Sequence, residues 1–279
     1  MSHDRLKVSR IALISKEGHG EARDVARDVA LNLVSRGFSV TAFPNLHLKD
    51  VDHVPSIKDL ASIPKVDLFI LSSGDGTILR VLRLTDTTIP CLCINVGGRG
   101  ILSEIKPHQA PYAIERIERG DFILDRRMRL SPTIGGERLP PALNEVYLLR
   151  QSITRTPTFT LDLGDSATFT QRMDGLLVTT PTGSTGHSYS FGSPFVSGSL
   201  HSFLITPVAP ITNFPKIIRD STPMRVMATY GLHLIIDGQE TYSVEPNTYI
   251  TLKRHERDAV FVRFEPSSDF KQLKNLGFD

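Results

Sequence analysis

Residues 66–84, VDLFILSSGDGTILRVLRL, constrain the fold more than any other stretch. An apolar run breaks at Gly74-Asp75-Gly76-Thr77 and resumes with apolar residues at helical spacing, which predicts a buried strand, a tight turn and a helix start. Glycines at 74 and 76 permit positive φ and leave bare backbone against which a bulky group can lie. The unpaired N–H groups of a helix's first turn attract anions, so such a turn suits phosphate. Asp75 runs against that pattern. A carboxylate between two phosphate-cradling glycines repels phosphate, and it makes chemical sense where it holds, or takes a proton from, a hydroxyl that attacks phosphorus. The same residues also read as an ordinary Gly-Asp-Gly turn with Thr77 near a helix N-cap.

The chain before this stretch supplies the rest of a parallel sheet. RIALIS (10–15) reads as a buried strand, and Ala22, Val25, Ala26, Val29, Ala30, Leu33 and Val34 follow at spacings of three and four. Gly37 stands where a helix's C′ glycine belongs, and FSVTAF (38–43) is a second strand, so the segment predicts a βαβ unit with a right-handed crossover. Within 44–65, SIKDLASI (56–63) is a candidate short helix. CLCINV (91–96) is the next strand, and it too runs into glycines, Gly97-Gly98-Arg99-Gly100. Two glycine turns thus leave the carboxyl ends of two strands, the edge where open α/β sheets bind ligands. The expected fold class is an α/β N-terminal domain, Rossmann-like, over 1–125, joined to a β-rich C-terminal domain.

From about residue 125 the pattern becomes short alternating segments divided by Gly, Pro, Asn and Asp. FTLDL (159–163), ATFTQ (167–171), GLLVTT (175–180), LHLIID (232–237), YITLK (249–253) and VFVRF (260–264) predict an antiparallel β domain, bounded as 126–258. The chain from 259 to 279 is expected to return to the first domain, with Phe270, Leu273 and Leu276 at helical spacing.

At 279 residues the chain is long enough for two cores. Its 32 basic and 30 acidic side chains leave a formal charge of +2, so no global basic field argues for nucleic acid. Cys91 and Cys93 alternate on one strand, too few for a metal site and poorly placed for a disulfide, which favours buried thiols in a reducing compartment. No apolar run approaches the ~20 residues of a membrane span. The N-terminus does not read as a signal peptide, and the expected location is cytoplasmic.

In the second half, 174–194 (DGLLVTTPTGSTGHSYSFGSP) places Thr182-Gly183-Ser184-Thr185-Gly186 after an apolar strand and near Asp174-Gly175. Hydroxyls and bare backbone at that density suit a polyhydroxyl or phosphate ligand; a lone TGSTG is more often a solvated loop, and its place after an apolar strand beside a second Asp-Gly pair favours the functional reading. Asn144-Glu145 lies between the apolar pairs Ala142-Leu143 and Val146-Tyr147. An amide beside a carboxylate suits a base edge or ribose hydroxyls, and the bland reading is the exposed face of a half-buried strand.

Taken in order, GDGT (74–77), NVGGRG (95–100), NE (144–145), DG…TPTGSTG (174–186), ITPVAP (205–210), DGQ (237–239) and LKNLGF (273–278) resemble the NAD kinase family over nearly the whole chain. The resemblance implies an active site between an α/β and a β-rich domain. It implies transfer of a phosphoryl group from ATP or inorganic polyphosphate to the 2′-hydroxyl of the adenosine ribose of NAD. It further implies Mg²⁺ or another divalent cation with the donor, and a homodimer or homotetramer. Carried over by position, Asp75 matches the catalytic aspartate, and Gly74, Gly76, Thr77, Asn95 and Gly97 match the donor's phosphate site. Asn144, Glu145, Arg172, Asp174, Thr182, Ser184, Thr185, Gly186 and His187 match positions that meet NAD.

Some positions depart from the family pattern. Ser73 replaces a usual glycine, Ile101 a usual phenylalanine, Gly186-His187 a usual alanine-tyrosine pair, and PITNF (210–214) lacks the usual proline-histidine-serine. His187 is a candidate to stack on a ring in place of the tyrosine. GDGT is shared with lipid kinases of the diacylglycerol and sphingosine type, which would leave Asn144-Glu145 and the TPTGSTG loop unexplained. A non-catalytic NAD-binding regulatory homologue is the other alternative, and an assay of activity separates it from an enzyme.

Overall fold

The computed structural model describes residues 7–63, 65–164 and 168–266. Two compact units emerge among the described residues: one joins the stretch ending at Arg126 with 259–266, and the other runs from Arg127 to Asp258.

The first unit is built on strands β1 (Arg10–Ser15), β2 (Ser39–Phe43), β3 (Asp52–His53), β4 (Leu68–Ser73), β5 (Cys91–Asn95) and β6 (Ile123–Arg127). Helices α1 (Gly20–Ser35), α2 (Asp75–Thr85) and α3 (Ala110–Glu118) connect them, and 57–62 forms a 3₁₀ turn. Helix α1 packs Ala22, Ala26, Val29, Ala30 and Leu33 onto the sheet, and it ends at Gly37 with φ +85°, a left-handed value suited to glycine. The second unit holds β7 (Leu130–Ile134), β8 (Glu137–Arg138), β9 (Glu145–Arg150), β10 (Thr158–Asp162), β11 (Thr168–Arg172) and β12 (Gly175–Thr179). After the short helix α4 (His187–Ser190) come β13 (Ser202–Val208), β14 (Ile217–Asp220), β15 (Met224–Ala228), β16 (Leu232–Ile236), β17 (Glu240–Val244) and β18 (Ile250–Arg254). The last strand, β19 (Ala259–Arg263), belongs to the first unit.

Among the described residues the first sheet runs β3-β2-β1-β4-β5-β19-β6. β1 pairs in parallel with both β2 and β4, so the chain leaves β1 to one side and later returns on its other side. That reversal opens a crevice at the carboxyl ends of β1 and β4, where α/β sheets bind ligands. The second unit packs two antiparallel sheets, β11-β10-β15-β18-β7-β8 and β14-β13-β12-β9-β16-β17, around one core. Phe159, Leu161, Val226 and Ile250 from the first sheet meet Val146, Leu176, Phe203 and Leu234 from the second.

Two expectations change. VFVRF reads from its alternation as an antiparallel strand, although it lies within the 259–279 segment expected at the first domain; β19 joins the first sheet and pairs in parallel with β5, Phe261 opposite Cys91. Its five residues are buried throughout, which marks a strand covered on both faces. Second, Gly74 has φ −91° and ψ 173°, extended backbone open to any residue, and neither Gly74 nor Gly76 has positive φ. The expected helix around 270–276 lies outside the described residues. Cys91 and Cys93 are free and buried, their sulfurs 4.0 Å apart, and burial pushes the Cys93 thiol well up.

Candidate active site

In the first unit, the candidate residues gather at the carboxyl edge of the parallel sheet. Strand β4 is buried along its whole length and delivers the chain to Gly74, the N-cap of α2. A Cβ built on Gly74 would meet nothing within 4 Å, so its bare backbone faces open space. Asp75 is the first residue of α2 and half-buried. Its carboxylate accepts the backbone N–H of Ile101 on Oδ2 at 3.0 Å and of Leu102 on Oδ1 at 3.1 Å. Both oxygens are therefore fixed by the loop that follows β5, and the turn's own backbone is not their partner. Each keeps lone-pair capacity for a hydroxyl proton, since an ionised carboxylate accepts about four hydrogen bonds. Thr77 donates its N–H to the Gly74 carbonyl at 3.1 Å.

Asn95 ends β5 and donates its amide to the Gly98 carbonyl at 3.2 Å, folding the glycine loop over itself. Gly100 is required there: φ is +61°, and a Cβ would lie 2.3 Å from the Asn95 side chain. Gly97 has nothing within 4 Å of a built Cβ. Ser73 is fully buried, and its hydroxyl has no partner among the described residues. Ile101 serves Asp75 through its backbone, so the departure from phenylalanine leaves that hydrogen bond intact.

In the second unit, Asn144 and Glu145 stand at the start of β9, and the Thr182–Thr185 3₁₀ turn lies directly on them. A Cβ on Gly183 would fall 2.4 Å from the Asn144 carbonyl oxygen, so only glycine permits this approach. Thr180 donates its N–H to the Asn144 carbonyl and its hydroxyl to the Leu143 carbonyl. A Cβ on Gly186 would lie 3.7 Å from Glu145 Oε2 and 3.9 Å from Asn144 Nδ2, so the loop's second end reaches the side chains of the pair.

The hydroxyls of the loop serve different ends. Ser184 is fully buried; its Oγ donates to the Pro181 carbonyl at 2.7 Å and accepts the Val196 N–H at 3.0 Å, which commits it to folding the loop. Thr185 donates to the Thr182 carbonyl at 3.4 Å. His187 is exposed, its ring centroid 5.6 Å from Tyr147 and 5.2 Å from Phe191. Asp174 pairs with Arg150 at 3.1 Å, and a Cβ on the next residue, Gly175, would lie 2.8 Å from the Tyr147 ring. Arg172 is exposed on β11, in the other sheet of this unit, apart from the Asn144–Glu145 end of β9.

Asp237 has a role that no local pattern in the sequence announced. It sits just past β16 at φ +49°, and its carboxylate accepts three successive N–H groups, Leu143 at 3.1 Å, Asn144 at 2.8 Å and Glu145 at 3.2 Å. It thereby fixes the backbone of the polar pair from 92 residues away. The only advance signal was the Asp-Gly-Gln triplet itself. Glu145 is 6% exposed and its Oε2 has no hydrogen-bond partner among the described residues. Burial, and then the charge of Asp237, push its carboxyl up to about 8. At neutral pH Glu145 is therefore chiefly a neutral acid, able to donate one hydrogen bond.

A parallel sheet with a braced carboxylate at a helix start, joined in one chain to a β unit carrying a polar pair under a hydroxyl-rich loop, is the equipment of a phosphotransferase with an alcohol acceptor. The chain belongs to the NAD kinase family: residues 11–122 match the ATP-NAD kinase N-terminal domain and residues 143–264 the ATP-NAD kinase C-terminal domain. It is 33% identical to the NAD kinase of Pyrococcus abyssi over 264 residues, 91% of this chain and 94% of that one. Yeast NADH kinase, solved with NADH, shares the fold with a TM-score of 0.88 at 19% identity, covering 98% of this chain and 89% of that one. An NAD kinase from Archaeoglobus fulgidus, solved with ATP, is similar at 25% identity and a TM-score of 0.76, over 95% of this chain and 99% of that one.

Proposed function

We propose that this protein is an NAD kinase that transfers a phosphoryl group from ATP or polyphosphate to the 2′-hydroxyl of the adenosine ribose of NAD, giving NADP. The observation that carries the reading is the Asp75 carboxylate, held by two backbone N–H groups at the start of α2. Asp75 orients the hydroxyl and takes its proton as the oxygen bonds to the terminal phosphorus, and the shortened donor departs with the electron pair of the bond that breaks. Most of the acceleration is positioning, as in phosphoryl transfer generally. Gly74, Gly76, Thr77, Asn95 and Gly97 lie against the donor's phosphates. Asn144, Glu145, Asp174, Thr182, Thr185, Gly186 and His187 contact NAD. Ser184 shapes the loop that carries them, and Arg172 offers charge to phosphate.

Among the described residues no cluster of three or more His, Cys, Asp or Glu is placed to cage a metal. Mg²⁺ or another divalent cation would enter with the donor and would neutralise charge on the phosphates. No helix among the described residues is long and apolar enough to cross a membrane. The reading includes a cytoplasmic location, where buried free thiols persist, and a homodimer or homotetramer. That the Archaeoglobus relative was solved with ATP supports ATP as one donor, with polyphosphate the alternative.

The test is to incubate the pure protein with Mg²⁺, NAD or NADH, and either ATP or polyphosphate, and to measure NADP or NADPH. Diacylglycerol and sphingosine run in parallel as acceptors. NADP formation is expected; phosphorylation of a lipid alone, or of nothing, would overturn the reading.

A further inference from the structure

Asp75 can act only as well as the loop that holds it, and that loop is braced from the far end of the chain. Leu102, whose N–H binds Asp75, has its carbonyl bound by the Arg263 guanidinium, Nη1 to O at 3.1 Å. Arg263 is the last residue of β19 and 7% exposed. The same Nη1 reaches Glu104 Oε2 at 3.3 Å, and Nε reaches Asp125 Oδ2 at 3.2 Å. Glu104 in turn accepts the Phe264 N–H at 3.0 Å, and its own N–H is bound by the Cys93 carbonyl at 2.9 Å. The guanidinium plane also lies over the Phe261 ring, its carbon 4.9 Å from the ring centroid.

We propose that Arg263 is a positioning residue for phosphoryl transfer, holding the 101–102 backbone in place so that its two N–H groups orient the Asp75 carboxylate. Within the proposed kinase reading, this gives β19 a catalytic reason to sit beside β5. A planar guanidinium offers five donors in a rigid fork, enough to serve a carbonyl and two carboxylates at once; a lysine ammonium is a single point charge and cannot reproduce that fork. Glu104 and Asp125 supply the negative charge that makes the buried cation tolerable, and they fix where its carbonyl-directed N–H points. Leu102 couples the two ends through the two peptide units that meet at its α-carbon: the N–H of the unit shared with Ile101 faces Asp75, and the C=O of the unit shared with Ser103 faces Arg263.

Arg263→Lys keeps the charge, and Arg263→Gln removes it. In each variant kcat is expected to fall about 10–100-fold with the KM for NAD little changed, as for a misplaced group rather than a lost binding contact. Combining Arg263→Lys with Asp75→Asn should give a protein no slower than Asp75→Asn alone, because both changes act on the same carboxylate. Amide hydrogen exchange supplies a readout independent of catalysis: protection at Ile101 and Leu102 should drop in Arg263→Lys while the amides of β1 stay protected. Unchanged kcat, unchanged exchange at Ile101 and Leu102, or losses that multiply in the double variant would each overturn the proposal. Arg263→Lys carries the test should Arg263→Gln fail to fold. Failure of the kinase reading looks different, since the parent protein would then make no NADP while exchange at Ile101 and Leu102 still responded to Arg263→Lys.

Discussion

Replacing Asp75 by asparagine separates its chemical role from its structural one. The side chain keeps its size and one carbonyl oxygen, so one of the two loop amides, Ile101 or Leu102, keeps an acceptor. The other faces an NH₂ group, donor against donor. A hydrogen bond to a charged group contributes roughly 1.5–3 kcal/mol, and that is the expected loss of stability. For a chain of this size each kcal/mol moves the melting temperature by roughly 2–4 °C, so a drop of about 3–12 °C is expected in a protein that still folds. The kinetic effect is larger. Loss of general-base assistance lowers kcat by about 10²–10⁴-fold, or roughly 3–5 kcal/mol of barrier, while the KM for NAD changes little. The assay is NADP formation at saturating NAD and donor, beside a melting curve on the same preparation. A folded Asp75→Asn protein within about threefold of the parent turnover would refute the reasoning, because general-base assistance typically contributes about 10²-fold or more. The melting shift with unchanged turnover would make Asp75 a brace between two loops and nothing more.

The raised carboxyl of Glu145 predicts a pH dependence of stability. Its folded value of about 8 lies above the ordinary 4.5, so between those limits the folded protein holds a proton that the unfolded chain has lost. Stability from this group is then full below about 4.5 and declines as pH rises toward 8, by roughly 1.4 kcal/mol per pH unit. Melting measured from pH 5.5 to 8 should fall with that slope in the parent and lose it in Glu145→Gln; parallel curves would count against a buried neutral acid. Gly183→Ala puts a methyl 2.4 Å from the Asn144 carbonyl oxygen; overpacking of this kind costs about 1–3 kcal/mol, and a raised KM for NAD should accompany a lower melting temperature. Normal values for both would show that the loop yields without moving Asn144. Cys91 and Cys93, buried with the Cys93 thiol pushed up, should resist a thiol reagent in the native protein and react fully in denaturant, as read by absorbance of the released thiolate.

Local chemistry determined the pieces. The stripe from Ala22 to Leu33 ending at Gly37, the apolar run of β4 breaking into Gly-Asp-Gly, and the alternation from residue 158 to 254 all follow from side-chain periodicity and the backbone freedom of glycine, and those are visible at short range. The family resemblance in the order of the short motifs extended this to the candidate residues. Only the tertiary structure decided what holds them. Asp75 meets Ile101 and Leu102 across 26 and 27 residues, Asp237 reaches Asn144 across 93, and Arg263 grips Leu102 across 161. Such contacts leave no periodic trace, because a carboxylate or guanidinium bonds to backbone groups that every residue carries. The placement of β19 shows the same limit from the side of the sheet. Val260 to Phe264 alternates in sequence like an antiparallel strand, but its neighbour, its direction and its burial on both faces are set by β5, 170 residues away by its pairing of Phe261 with Cys91, and no window of sequence around it contains that partner.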